Sequence, residues 1–155
     1  AQRDFTFLGD SAAEIAVVAG DGRLALAREA PHAFDVLVLD AFSSDAVPVH
    51  LLTRQAFEIY VEQLAPDGIL LANVSNRHLA VDRVVRASAR AVGLSCAVVE
   101  TQKNALGHGV HVVWAVMARD PARVSALLGD LPLTVASEPE VAWTDSRASV
   151  LSVLR

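Results

Sequence analysis

FDVLVLDAF, residues 34–42, is apolar at consecutive positions from Val36 to Leu39, the pattern of a strand covered on both faces rather than one. EIAVVAGD (14–21), GILLANVS (68–75), LSCAVVET (94–101) and HVVWAVMAR (111–119) read the same way. Helical periodicity fills the intervals. In LLTRQAFEIYVEQLAPDG, Thr53 caps the start, Phe57, Tyr60, Val61 and Leu64 share one face, and Pro66 with Asp67-Gly68 ends the run. LAVDRVVRASARAVG repeats this with Val81, Val84, Val85, Ser88 and Val92, and Gly93 supplies a left-handed stop. A third helix is expected at PARVSALLGD. Strands alternating with helices at this spacing require right-handed crossovers, so the expected architecture is a three-layer α/β domain with a mostly parallel sheet. The tail, LTVASEPEVAWTDSRASVLSVLR, is less periodic and is expected to pack as loop and short elements.

At 155 residues, 53% of them apolar and 20% charged, the chain is one domain, residues 1–155, with enough apolar surface for a core. The formal charge of −5 gives no support to a nucleic-acid interface and suits a small cationic substrate. Cys96 is the single cysteine, which excludes an intrachain disulfide and a multi-cysteine metal site. A buried hydrophobic role for that thiol and a reducing, cytoplasmic setting follow. No apolar run approaches the roughly 20 residues needed to span a bilayer, so the chain reads as soluble, without direct membrane insertion.

In open α/β sheets, ligands bind beyond the carboxyl ends of the strands. Three such ends carry polar residues here: Gly20-Asp21-Gly22, Asp40 to Asp45, and Asn73 to Arg77. At the first, the glycines let backbone approach a flat ligand while Asp21 accepts a hydrogen bond, although the tripeptide by itself reads first as an ordinary polar turn. At the second, Asp40 emerges from VLVL as a partly desolvated acid, with Asp45 as a second charge and Ser43 and Ser44 as donors. The alternative is local: one of these side chains caps a turn while Asp40 satisfies loop amides. Gly107-His108-Gly109 lacks the third glycine and following helix of a phosphate loop, and His108 with His111 lacks a nearby third ligand, so no metal site is expected.

Taken together, VVAGDGRLAL (17–26), FDVLVLDAFSSDAVPVHLLT (34–53), YVEQLAPDGILLANVSNRHL (60–79) and WTDSRASVLSVL (143–154) resemble the spermidine synthase family, the polyamine aminopropyltransferases, and in particular its bacterial spermidine synthase-like branch. The resemblance implies a Rossmann-like, methyltransferase-type sheet of strand order 3-2-1-4-5-7-6. It implies transfer of an aminopropyl group from decarboxylated S-adenosylmethionine, as co-substrate, to a polyamine such as putrescine, with no metal. Asp40 would be the catalytic acid that receives the amine's proton, Asp45 with Ser43 and Ser44 would hold the amine, and Asp21 with Gly22 would meet the adenine. The match is to the C-terminal portion of the catalytic domain. The first strands and their Gly-rich loop have no counterpart, so either the domain is incomplete at its N-terminus, with little activity expected of it alone, or the remaining strands pair differently. Homodimers are common in the family. Asp40-Ala41-Phe42-Ser43-Ser44-Asp45-Ala46 stands where the synthases usually read Asp-Ser-Ser-Asp-Pro, and Asp145-Ser146-Arg147-Ala148-Ser149 where relatives tend to read Asp-Asp-Tyr-Ser-Asn.

Two other functions fit the same residues. One is an S-adenosylmethionine-dependent methyltransferase on this fold, whose acceptor need not be a polycation. The other is a non-catalytic nucleoside-binding or interaction domain.

Overall fold

The run FDVLVL becomes an edge strand, β1 (Phe34–Leu39), and its apolar successors form β2 (Leu64–Asn73), β3 (Ser95–Glu100) and β4 (Val113–Ala118). This computed structural model describes residues 6, 8–41, 47–100, 112–131, 133–134 and 139–155. The strands lie in the order β1-β2-β4-β3. β1 pairs with β2 in parallel, with Leu39 opposite Ala72, while β4 is antiparallel to both β2 and β3. β1, β2 and β3 therefore point one way, and β4 is a reversed strand set between two of them.

The helices are α1 (Gly22–Leu26), α2 (Arg54–Gln63), α3 (Val81–Ala91) and α4 (Pro121–Leu128), with 3-10 turns at Val49–Leu51 and Val150–Val153. Strand alternation sorts the core into two clusters. Leu37, Leu39, Leu70, Ala72 and Met117 face α2 and α3, where Phe57, Tyr60, Val84 and Val85 are fully buried. Ile69, Val116 and Ala118 point the other way, onto Val124 and Leu128 of α4. Three layers result, but contrary to the expectation for FDVLVLDAF the second face of β1 is not covered: Val36 and Val38 stay half exposed because α4 lies over β3 and β4. Each fully buried large side chain contributes about 1.5–3 kcal/mol from the apolar surface it removes from water.

Caps place the helices where the sequence pattern puts them. The Thr53 hydroxyl accepts from Ala56 N at the start of α2, the Asp120 carboxylate accepts from Ala122 N at the start of α4, and Gly93 follows α3 at φ 77°. The tail packs as loop and a short turn. Trp143 is buried in the larger core, Arg54 N donates to Trp143 O, and Ala80 N donates to Val153 O.

Two boundaries differ from expectation. EIAVVAGD forms no strand: its backbone pairs with no described strand, and Ile15, Val17 and Val18 are exposed. An apolar, β-branched run is sheet only when a neighbour takes up its N–H and C=O groups. The second difference lies at the α2–β2 junction, where the strand starts directly at Leu64. Phe34 pairs with Leu64 but Val36 pairs with Ile69, so β2 bulges between them. A Cβ on Gly68 would sit 2.9 Å from Leu64 Cδ2 and 3.0 Å from the carbonyl oxygens of Ala65 and Phe34, so only glycine fits the bulge. The Arg119 guanidinium donates to Val61 O at 2.6 Å and Ala65 O at 2.7 Å, satisfying one carbonyl that the end of α2 leaves open and one in the bulged start of β2.

Candidate active site

β1 and β2 run parallel, so their carboxyl ends deliver Asp40 and Asn73 side by side. Asn73 Nδ2 donates to Asp40 Oδ1 at 3.0 Å. The Asn73 oxygen accepts from Ser75 N at 3.0 Å, and Ser75 Oγ accepts from Val113 N at 2.8 Å. Asp40 is exposed although the strand before it is buried at Leu37 and Leu39. A carboxylate at the exposed carboxyl end of a strand stands where a cation can reach it.

A second polar group lies around Asp21. Asp21 caps α1, Oδ1 accepting from Leu24 N at 2.9 Å, and its Oδ2 lies 3.2 Å from His50 Nε2. The Leu24 backbone N–H, with His50 adding to it, holds this carboxyl below the usual carboxylate range. Gly20 sits at φ 140°, a backbone conformation that favours glycine. A Cβ at Gly22 would meet nothing within 4 Å, so there is room for a flat ring to approach the backbone there.

Next along α1, Arg23 reaches across the chain to the tail. Its guanidinium bonds both oxygens of Asp145, at 2.8 and 2.7 Å, and donates to His50 O at 2.9 Å. Thr53 Oγ1 donates to Asp145 Oδ1 at 2.6 Å, and Asp145 N donates to Gln55 Oε1 at 3.1 Å. Arg23 first, then Thr53, pulls the Asp145 carboxyl down to about 2. Arg23, Pro48, His50, Thr53, Thr144 and Asp145 line a cleft of about 520 Å³. That volume lies within the range of small-molecule sites.

Of the residues expected from sequence, Asp40, Asp21 and Gly22 stand at exposed positions, Asp40 at a strand end and the other two at the start of α1. Ser43, Ser44 and Asp45, like His108 and His111, lie outside the described residues. Sequence reasoning missed Arg23, His50, Thr53 and Asp145 as one cluster. Its only trace was the polar character of each local segment, because the Arg23–Asp145 pair joins positions 122 residues apart. Among the described residues no group of three His, Cys, Asp or Glu side chains lies close enough to hold a metal ion, and no helix is long and apolar enough to cross a membrane.

No protein-family model matches the sequence, and no curated protein matches it. Solved structures do. A probable spermidine synthase from Corynebacterium glutamicum ATCC 13032 is 19% identical, with a TM-score of 0.52, over 85% of this chain and 55% of its own. MnmC2 from Aquifex aeolicus is 19% identical, with a TM-score of 0.47, over 79% of this chain and 40% of its own. The chain thus spans about half the length of the first. At that identity the likeness establishes the architecture: an α/β domain of the Rossmann-like, methyltransferase type, with helices on both faces of the sheet.

Proposed function

We propose that this chain forms part of a spermidine synthase-like transferase that moves an aminopropyl group from decarboxylated S-adenosylmethionine to a polyamine such as putrescine. One observation carries the reading: Asp40 is an exposed carboxylate at the carboxyl end of a strand buried at Leu37 and Leu39, held on one oxygen by Asn73. A protonated amine has no lone pair. Asp40 attracts the ammonium and takes one proton, and the freed nitrogen attacks the carbon next to sulfur as the carbon–sulfur bond breaks with its electrons on sulfur. The bound nucleoside sulfonium supplies that activated carbon and leaves as a neutral thioether, so no general acid is needed.

Asp21 and Gly22 suit the adenine side, because the carboxylate is an acceptor and open space adjoins the glycine. Asp45, Ser43 and Ser44 would complete the amine subsite by their place after β1. The edge of β1, which pairs with no described strand, and the half-exposed Val36 and Val38 support a further proposal, that the active unit includes additional strands beside β1.

The test is aminopropyl transfer to putrescine by the longest natural polypeptide that contains this sequence, beside its Asp40→Asn variant. Turnover is expected to fall 10²-fold or more, on the order of what a lost general base costs. Wild-type turnover in the variant removes Asp40 from the chemistry. Methyl transfer from S-adenosylmethionine that putrescine does not compete with would move the reading to a methyltransferase.

A further inference from the structure

Resting on the reading of Asp40 as amine base, we propose that Asn73 is a positioning residue that fixes the Asp40 carboxylate by holding Oδ1, so that Oδ2 is presented to the incoming amine. An asparagine amide has two ends of opposite character, a carbonyl acceptor and an NH₂ donor, and can in principle be turned either way. Here the choice is forced. Ser75 N is a donor and lies 3.0 Å from the Asn73 oxygen, so that end must be the carbonyl and the NH₂ must face Asp40.

The support continues inward. Ser75 Oγ accepts from Val113 N at 2.8 Å, and Val74 N donates to Val113 O at 2.8 Å, which ties the end of β2 to the start of β4. Asp40 Oδ1 is thereby linked through Asn73 and Ser75 to the reversed strand, two strands away in the sheet. An exposed carboxylate otherwise turns freely about its last torsion, which is broad in aspartate. Among the described residues, Asn73 is the side chain that removes this freedom. A base held in one orientation reaches the reactive geometry more often without binding its substrate more tightly, so the effect belongs in kcat rather than KM.

Two variants of the longest natural polypeptide test this, alongside Asp40→Asn. Asn73→Ala removes the donor. Asn73→Asp keeps the acceptor for Ser75 N but turns an oxygen toward Asp40. Expected is a fall in kcat on the order of tenfold for Asn73→Ala, with KM for putrescine within about twofold, and a larger fall for Asn73→Asp. Purely structural service would lower the thermal midpoint and leave kcat per folded molecule unchanged, and that result in both variants overturns the proposal. The Asn73 side-chain amide resonances of this chain are also expected to shift in Asp40→Ala, and unmoved resonances contradict the bond itself. The two readings fail separately. An inactive Asp40→Asn with fully active Asn73 variants keeps the base and discards Asn73, whereas a fully active Asp40→Asn discards the base and this inference with it.

Discussion

Asp145 shows how much one surface side chain can organise. Its carboxylate is 45% exposed, yet it accepts two bonds from Arg23 and one from Thr53, joining the tail to α1 and to the start of α2. Its pKa lies near 2 against an ordinary 3.8, so the clamp contributes in full above the ordinary value and loses its contribution as pH falls through about 2. Asp145→Asn is expected to cost about 0.5–1 kcal/mol at neutral pH, a magnitude set by solvent screening at an exposed pair. In urea titrations, the difference from wild type is expected to shrink steadily as pH falls from about 4 toward 2, and a constant difference would contradict it. Cys96 lies at the other extreme. Burial pushes its thiol up to about 12, so it carries little thiolate at neutral pH. Labelling by a maleimide is expected to be slow in the native protein and fast in denaturant; equal rates would mean that the thiol is accessible. The acids at 21 and 40 were legible because each ends an apolar run, whereas the partner of Arg23 was not, since nothing local marks a contact over such a separation.

At the scale of elements, the capping residues and the α2–β2 junction hold the site in place. Thr53 accepts from Ala56 N and donates to Asp145, so it caps α2 and holds the tail with one hydroxyl. Thr53→Ala is expected to lose about 1–2 kcal/mol, the upper part of the range for a cap, because the second bond goes with it. Thr53→Ser should recover most of this in thermal unfolding. Gly68→Ala drives a Cβ against two carbonyl oxygens and is expected to cost about 1–3 kcal/mol through displaced backbone, read as a lowered midpoint in chemical denaturation. The sequence pattern located α2, α3 and α4, and Gly93 as the stop of α3, because periodicity, caps and glycines act within a few residues. It placed the start of β2 four residues late, since Pro66 and Asp67-Gly68 look like a turn and only pairing with β1 makes them a bulge. It also counted EIAVVAGD as a strand, because apolar content registers burial preference and not the presence of a partner.

For the whole molecule, the two sheet faces are unequal. α4 covers β3 and β4, while Val36 and Val38 of β1 on that side stay about half exposed, at 51% and 50%, beside an edge that pairs with no described strand. An apolar, unpaired edge favours self-association. Light scattering of this chain is expected to show concentration-dependent association that Val36→Lys with Val38→Lys reduces, with a midpoint shift of only a few degrees because the side chains are half solvated already. Association unchanged by both substitutions would place the contact elsewhere. The α/β class, helices α2, α3 and α4, four of the five expected apolar strands and the acid at the end of β1 were determined by the sequence alone, since each depends on neighbours along the chain. Tertiary structure decided the reversed strand between β2 and β3, the Arg23–Asp145 clamp and the Asn73 hold on Asp40. Each of these joins residues that meet only when the sheet is assembled, and neither strand direction nor a hydrogen-bond partner is written into a local pattern.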